Sequence, residues 1–218
     1  MNVRRFFPPE ALEAIHRATL AAEEKSGGEI VAYVVGRASD YHEACWKAAA
    51  LGALLSAALA GLLHELGEVW GGWGLAWITL PVLLGLAAGY LLAQASYPLR
   101  CWLTPRATQL RRVSQRATQA FLEEQVFATV DRTGVLIFLA LLERRALVLA
   151  DQGIAARVAQ QEWDALAGGL ARGAGRGRAA EALQAAVEQA GDLLARYGVE
   201  RRVDDRDELP SQPRLRDE

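Results

Sequence analysis

The sequence predicts a mixed α/β domain that is interrupted by a pair of membrane-spanning helices. Two long apolar segments without a charged residue, 48–63 and 69–93, stand close together in the chain. Short β-rich runs and amphipathic helical patterns precede and follow them. The composition agrees with such a division, because the 52% of apolar residues exceeds the usual share of a soluble domain, whereas the 23% of charged residues exceeds that of a multi-span protein.

The two apolar segments have the length of transmembrane helices. The first extends backwards to residue 44, past Lys47, whose aliphatic stem allows its ammonium group to reach the interface. That gives about 20 residues, enough to cross a hydrocarbon core of ~30 Å. The second contains Pro81, which transmembrane helices tolerate. Neither segment has a polar face, and so small a domain cannot surround two such helices. We therefore interpret residues 44–97 as a transmembrane hairpin.

Aromatic and basic residues around this hairpin predict its orientation. Aromatic side chains mark both expected interfaces, with Trp70, Trp73 and Trp77 at one and Trp46, Tyr97 and Trp102 at the other. The connector 64–68 has no Lys or Arg, so the positive-inside rule puts both chain termini in the cytoplasm of a multi-pass inner-membrane protein. The flanks carry the cations expected to contact lipid headgroups, namely Arg37, Lys47, Arg100, Arg106, Arg111 and Arg112.

The segment before the hairpin predicts one helix and one strand. Pro9 suits the first helical turn, and Gly27-Gly28 ends the helix. Residues 29–35 form an apolar, β-rich run that is typical of a strand buried on both faces. A strand that is buried on both faces needs neighbouring strands, and this segment contains none.

The segment after the hairpin predicts a helix, two strands and two further helices. The first helix follows Pro105, buries Val113 and Ala117, and turns Arg116 toward solvent. Residues 135–142 and 146–150 are strands so close in sequence that they pair antiparallel. Helices are expected over 155–170 and 180–197. A Gly/Arg loop joins these helices, and a charged, disordered tail follows over 200–218.

The two flanking segments are expected to form one domain. Neither can fold alone, because a parallel strand crossover needs strands from both. The hairpin returns the chain to the same membrane face, which makes this closure possible. The predicted organisation is therefore a domain built from residues 1–43 and 98–199, with the hairpin inserted at 44–97.

Several local motifs resemble the TPM domain family. Gly28-Glu29-Ile30 opens the first strand, Arg132-Thr133-Gly134 opens the second, and Glu143-Arg144-Arg145 forms the turn after it. The run from Ala150 to Ile154 and the tail around Asp204-Asp205 and Asp207 to Pro210 extend the likeness over nearly the whole chain. The sequence is most similar to the bacterial branch that carries two transmembrane helices after its first strand.

This resemblance implies a compact α/β sandwich with a small mixed β-sheet flanked by helices. Relatives in the family are associated with photosystem repair or respiratory-complex assembly. An acid phosphatase activity has been proposed for a plant member, and other relatives resemble divalent-ion binders. Most relatives expose the domain outside the cytoplasm, whereas the charge bias here places it inside.

The predicted β-hairpin brings four polar residues to one sheet end. The second strand begins where the third one ends, so Asp131, Arg132 and Thr133 are expected close to Asp151. Two carboxylates, a hydroxyl group and an arginine suit a hard cation such as Ca²⁺ or Mg²⁺, or a phosphate. The other interpretation is that both aspartates cap turns and Arg132 pairs with one of them.

A second motif, Gly173 to Arg178, is rich in glycine and arginine and precedes a helix. It suggests a phosphate cradle, although no strand precedes it and it is not a P-loop. A flexible linker, or a basic contact with anionic lipids, is the competing interpretation. The net charge of −2 gives no reason to expect nucleic-acid binding, and no catalytic triad is visible.

Two functions follow as expectations. The first is a membrane-anchored accessory or assembly module without enzymatic activity and without a required cofactor. Its partners would be membrane lipids and another membrane protein or a second copy of the chain. Small residues in the first membrane segment support it, because they allow close helix packing: Gly52, Ala53, Ser56, Ala57 and Ala60. The alternative is a divalent-metal-dependent acid phosphatase that uses Asp131 and Asp151.

Overall fold

A computed structural model describes residues 2–67, 75–197 and 209–217 of the chain. They form two compact units, of which the first comprises Met1–Ser39 and Leu110–Glu218 and the second Asp40–Gln109. The first unit is mixed α/β, as predicted, and the second is helical. The elements in chain order are α1 (Pro9–Lys25), β1 (Glu29–Val35), α2 (His42–Gly67), α3 (Ala76–Ala95), α4 (Tyr97–Leu103), α5 (Arg106–Glu123), β2 (Gly134–Ala140), β3 (Arg145–Ala150), α6 (Gln152–Ala155), α7 (Gln160–Gly175), α8 (Ala179–Arg196) and β4 (Arg214–Arg216).

The first unit is built on a four-stranded mixed sheet in the order β3-β2-β1-β4. β1 runs parallel to β2, with Glu29 opposite Gly134 and Val35 opposite Ala140. β2 pairs antiparallel with β3, which confirms the predicted hairpin. Because β1 precedes the second unit in the chain and β2 follows it, the central strand pair joins the two sequence segments.

Helices cover both faces of this sheet, which explains why every residue of β1 and β2 is buried. On one face, Ile30, Ala32 and Val34 pack in a core with side chains of α1, α7 and α8. On the other face, Val31, Tyr33 and Val35 pack with the apolar side of α5, which comprises Val113, Ala117 and Ala120.

The C-terminal segment forms an edge strand, so the predicted disorder over 200–218 is wrong for residues 214–216. β4 pairs parallel to β1 at Tyr33, Val34 and Val35. Its alternating sequence explains the docking: Leu215 packs on the core, whereas Arg214 forms an ion pair of 2.9 Å with Glu124. The part of the predicted tail at 200–208 lies outside the described residues, as do Asp204, Asp205, Asp207 and Glu208.

The prediction of a Gly/Arg loop from Gly168 to Arg178 is wrong for most of its length, because α7 continues through Gly168 and Gly169 to Gly175. A side chain at Gly173 would collide with Ala182, so glycine allows α7 and α8 to approach closely here. The amides of residues 176–178 donate to the last carbonyl groups of α7. They are therefore engaged in ending the helix and do not form a phosphate cradle.

The second unit contains two helices that are long and apolar enough to cross a membrane. They cover His42–Leu66 and Ala76–Ala95, and only 11% and 6% of their most apolar stretches are buried. Both of these helices thus have spanning length and exposed apolar surfaces. Of the predicted aromatic positions, Trp46, Trp77, Tyr97 and Trp102 are exposed, whereas Trp70 and Trp73 lie outside the described residues.

Small residues allow α2 and α3 to pack backbone against backbone. A Cβ atom at Gly52 would collide with the carbonyl oxygen of Gly85, and one at Gly89 with that of Ala48. The Ser56 hydroxyl group donates to the Gly52 carbonyl oxygen at 2.8 Å. Gly52 and Ser56, for which the sequence predicted close helix packing, therefore lie at the contact between α2 and α3.

Candidate functional site

The predicted polar corner lies where β2 begins and β3 ends. Val135 is paired with Ala150, and the Asp151 amide donates to the Gly134 carbonyl oxygen at 2.9 Å. The antiparallel register therefore brings the residues before β2 close to the residue after β3. The structure places Arg132 and Asp151 in direct contact, as the sequence suggested.

Asp151 is the centre of this corner. It is 6% exposed, and its carboxylate caps the short helix α6 by accepting the Gln152 amide at 2.8 Å through Oδ1. Its Oδ2 atom lies 2.9 Å from Nε of Arg132. The two groups form an ion pair, but their alignment does not meet the geometry of a hydrogen bond. Both carboxylate oxygens are thus occupied by positive or partly positive groups of the chain itself.

Arg132 reaches this position through an unusual backbone conformation. Its φ of +56° is in the left-handed region, which costs an L-residue about 1–2 kcal/mol. Local hydrogen bonds hold it there, since its amide donates to the Thr129 carbonyl oxygen at 3.1 Å and its carbonyl accepts the Gly153 amide at 3.0 Å. Gly153 fits because a Cβ atom would lie 2.5 Å from the Asp131 carbonyl oxygen.

Thr133 links the start of β2 to the start of β1 through two hydrogen bonds. Its hydroxyl group donates to the Gly27 carbonyl oxygen at 2.8 Å, and its own carbonyl accepts the Glu29 amide at 3.2 Å. Asp131 is exposed, in contrast to Asp151. Of the four predicted residues, Arg132 and Asp151 therefore form an ion pair, and Asp151 also caps α6. Thr133 links the starts of β1 and β2, and Asp131 is exposed.

This arrangement matches the interpretation in which Arg132 pairs with a capping aspartate. A hard cation takes six to eight oxygen ligands and would have to displace the guanidinium group from Asp151. In the part of the chain that the structure describes, no group of three or more His, Cys, Asp or Glu side chains is placed to hold a metal ion. The donor set present here favours an ion pair over a cation site.

The basic residues predicted at the membrane surface differ in exposure. Lys47, Arg106, Arg111 and Arg112 are exposed and Arg37 is half-buried. The predicted headgroup contact of Arg100 is wrong, because its side chain is only 4% exposed. Its guanidinium group donates to the backbone carbonyls of Ala93 and Asp40 at 2.7 and 3.1 Å. The reason is that α3 ends close by, and its last carbonyl groups lack helical donors.

The predicted solvent exposure of Arg116 is also wrong, because this side chain is buried inside the fold. Its guanidinium group donates to the Tyr33 hydroxyl oxygen at 2.9 Å and to the Glu123 carboxylate at 3.1 Å. The helical period places Arg116 beside the apolar position Ala117, and the spacing of seven residues to Glu123 puts both on one helix side. That spacing is the signal that the sequence offered.

Two buried glutamates were also missed, and both satisfy backbone amides at strand ends. Glu23 accepts the Ile30 amide at 3.1 Å, where β4 does not reach along β1. Glu143, in the turn between β2 and β3, accepts the Ala38 amide at 2.9 Å.

A cleft of about 280 Å³ lies between α7 and α8, with Glu162, Asp192 and Arg196 among its lining residues.

Comparison with known proteins establishes the fold. No family model and no curated protein matches the sequence. The structure is similar to the NMR structure of the BA42 protein from the psychrophilic bacterium Bizionia argentinensis, with 20% sequence identity and a TM-score of 0.58. The similarity covers 96% of this chain and 95% of that one. At this identity the likeness concerns the fold alone, so the chain shares the architecture of the BA42 protein.

Proposed function

We propose that this chain is a membrane-anchored accessory module that helps to assemble or maintain a larger membrane complex. In this proposal, α2 and α3 cross the inner membrane as a hairpin, and both termini and the α/β domain are cytoplasmic. The domain is TPM-like, and it works by contact with another membrane protein or with a second copy of the chain, without catalysing a reaction.

The observation that carries this proposal is the exposed apolar surface of the hairpin. Leu54, Leu55 and Leu84 are each about two-thirds exposed or more, and similar leucines follow along both helices. Soluble proteins rarely expose continuous apolar patches of this extent, and a lipid environment removes the cost of exposing them. The exposed cations Lys47 and Arg106, outside the apolar stretches, support a cytoplasmic position of both helix ends.

The position of the hairpin in the chain supports a role within the membrane plane. It is inserted between β1 and β2, which are neighbours in one sheet, so the domain is linked to the hairpin by two connections. Two connections restrict the orientation of the domain more than one would. Such restriction favours recognition of a partner in the same membrane over capture of a soluble substrate.

The motifs that suggested the TPM family fall at structurally demanding places, which supports the family assignment. Arg132-Thr133-Gly134 forms the strained entry to β2, and Glu143 belongs to the turn after it. At Gly134 a Cβ atom would collide with the Val126 carbonyl oxygen, so only glycine fits. Asp151 and Gly153 complete the corner from the other strand.

Photo-cross-linking in native membranes tests the proposal. A photoreactive residue is placed at Leu55 on the hairpin or at Val130 on the domain, where the side chains are 70% and 72% exposed. We expect each position to capture a discrete membrane protein or a second copy. The buried position Val187 serves as the control, which should capture nothing outside the chain. Recovery of lipid adducts and monomer alone from both exposed positions would contradict an assembly role.

Phosphate release separates this proposal from the phosphatase alternative. The purified full chain is incubated with p-nitrophenyl phosphate and Mg²⁺ or Ca²⁺, next to the Asp151→Asn and Asp131→Asn variants. We expect no metal-dependent release above the level of the variants, because Asp151 is paired with Arg132 and caps α6. Metal-dependent release that both substitutions abolish would favour the enzyme.

A further inference from the structure

The short helix α4 has hydrogen-bond partners for backbone groups at both of its ends. Ser96 caps its start by accepting the Leu99 amide at 3.4 Å, and Pro98 has no amide proton to satisfy. At its end, Thr104 donates to the Arg100 carbonyl oxygen at 2.8 Å and Gln109 donates to that of Cys101 at 2.7 Å. A helix of seven residues with capped ends is suited to a place where water is scarce.

Arg100 fixes this helix to the ends of its two neighbours. Its guanidinium group donates to the carbonyl groups of Ala93 and Gln94 in the last turn of α3, and to Asp40 just before α2. It also lies 4.5 Å above the Tyr97 ring. The fork of the guanidinium group is what allows one side chain to hold several carbonyl groups, and its charge suits a helix C-terminus.

α4 has one side packed and one side exposed. Leu99 and Leu103 pack against the cluster of Cys45, Ala48 and Ala93, which joins the start of α2 and the end of α3. On the other side, Trp102 is 79% exposed, more than any other tryptophan in the part of the chain that the structure describes. An indole ring with an apolar body and a polar N–H group is most stable at the headgroup level of a bilayer.

A second exposed tryptophan, Trp46, lies near the start of α2. It is 68% exposed, and its ring lies 5.2 Å from the ring of Tyr90, which aligns the start of α2 with the end of α3. At ~1.5 Å per residue, the rise from Trp46 to Leu66 along α2 is about 30 Å, the thickness of a hydrocarbon core. The exposed cations Lys47 and Arg106 flank the same region.

We infer that α4 is a lipid-binding element that lies in the phospholipid headgroup layer, and that Arg100 positions it there. This inference rests on the membrane anchoring proposed above. Trp46 and Trp102 set the depth of the hairpin, and Lys47 and Arg106 contact the phosphate groups of the surrounding lipids. Arg100 binds no lipid itself and acts by holding α4, and with it Trp102, against the ends of α2 and α3.

Depth-dependent fluorescence quenching tests this inference on the full chain in phospholipid vesicles with brominated acyl chains. Trp70, Trp73 and Trp77 are replaced by phenylalanine together with either Trp46 or Trp102, so that one membrane reporter remains. Trp163 is kept, because it is 2% exposed inside the α/β domain and gives a constant unquenched signal. We expect both reporters to be quenched most by bromines nearest the headgroups.

A reporter in the middle of the span separates the two proposals. In a variant with both reporters replaced, Leu54→Trp is expected to be quenched most by bromines deep in the chain. If Leu54→Trp and Trp102 are both unquenched, the membrane anchoring itself is wrong. If Leu54→Trp is quenched at depth but Trp102 is unquenched, or is also quenched most at depth, the inference about α4 is overturned and the anchoring stands.

Arg100→Gln then tests the positioning role. We expect Trp102 to lose its preference for headgroup-level bromines while Trp46 keeps its profile, because α2 and α3 still pack through their small residues. Arg17→Gln, which removes an exposed arginine charge from α1 of the α/β domain without freeing α4, is expected to leave both profiles unchanged. An unchanged Trp102 profile in Arg100→Gln, or a shift of both tryptophans, would overturn the assignment of Arg100 to α4.

Discussion

At the scale of single residues, the contact between Arg116 and Tyr33 is a charged hydrogen bond inside an apolar layer. Tyr33 is fully buried in the central strand, and its ring is stacked 5.9 Å from that of Phe138. The guanidinium group lies 5.4 Å from the centre of the same ring. This contact links α5 to the sheet, because Arg116 donates a hydrogen bond to the buried Tyr33 hydroxyl group.

Replacing Arg116 with methionine should therefore destabilise the protein while keeping its aliphatic bulk. We expect a loss of about 1–3 kcal/mol in the free energy of unfolding, because the Tyr33 hydroxyl group stays buried without its donor. Denaturation in detergent, followed by circular dichroism, measures the loss. Arg111→Met on the same helix is the matched control, and its exposed position predicts a change within about 0.5 kcal/mol.

A double-mutant cycle with Tyr33→Phe tests the physical reason for this loss. If the loss comes from the unsatisfied hydroxyl group, Tyr33→Phe should restore part of the stability of Arg116→Met. Strictly additive losses in the double variant would show that the two side chains are not coupled.

At the scale of elements, one carboxylate forms ion pairs with both arginines of β4. Glu124 lies 2.9 Å from Arg214 and 3.7 Å from Arg216, and its side chain is 15% exposed. The Gly36 amide, which follows β1, donates to the Arg216 carbonyl oxygen at 2.9 Å. Protection of that amide therefore reports whether β4 is docked.

Glu124→Gln should loosen β4 without disturbing the rest of the sheet. We expect the Gly36 amide to exchange with solvent about tenfold faster, the equivalent of ~1.4 kcal/mol, as charge-assisted bonds are lost. Hydrogen exchange read by NMR or mass spectrometry measures it. The Ile30 amide, which Glu23 holds on the same edge, is the internal control and should keep its rate. Equal acceleration of both amides would mean that the strand pair as a whole has opened.

The two glycine environments of α2 provide a second element-scale prediction. Gly52→Ala should destabilise the hairpin by about 1–3 kcal/mol, because the added methyl group collides with the Gly85 backbone. Gly61→Ala is the matched control on the same helix. An added Cβ there meets nothing within 4 Å, so we expect no loss of stability. Thermal unfolding in detergent compares the two variants, and equal effects would contradict the observed helix packing.

The type of an element could be predicted wherever apolar residues follow a long, regular pattern along the sequence. β1, β2 and the apolar helices follow from long uniform patterns, which leave few alternatives. β4 could not be predicted, because its three residues form a strand only by tertiary contact with β1 and Glu124. The extension of α7 through Gly168 and Gly169 was missed for a similar reason, since packing against α8 outweighs the poor helix propensity of glycine.

The candidate corner was predictable in position but not in its bonds. The spacing of the β-hairpin is sufficient to bring Arg132 close to Asp151, whichever way their side chains point. Which oxygen caps α6 and which faces the guanidinium group depends on the left-handed backbone at Arg132, and a sequence gives no direct sign of this conformation. Arg100 was misassigned likewise, because the helix end that it caps is created by the break at Ser96.

At the scale of the whole molecule, the cores of the α/β unit draw no described residue from 40–109. Both core clusters consist of side chains that precede the insertion or follow it. The apolar driving force for folding this unit is therefore complete without the hairpin.

Replacement of residues 40–109 by a long, flexible Gly/Ser linker should accordingly give a soluble, folded α/β domain. We expect cooperative thermal unfolding and dispersed NMR signals from this variant. A fragment of residues 110–218 alone provides the contrast, and it should not fold, because the sheet order places β1 between β2 and β4. Aggregation of the linker variant under all conditions would show that the insertion contributes to the stability of the domain.

The place of β1 in the sheet also has a consequence for biosynthesis. This strand is translated before the hairpin, yet Ile30 pairs with Val135 and Val34 with Leu215. This apolar strand therefore has no neighbouring β-strand while residues 40–109 are being translated. Pairing on one side begins only when β2 emerges from the ribosome, and the other side of β1 is paired only when β4 has been made. The nascent chain is consequently most exposed to misassembly and to chaperone binding during the interval between the synthesis of β1 and the synthesis of β4.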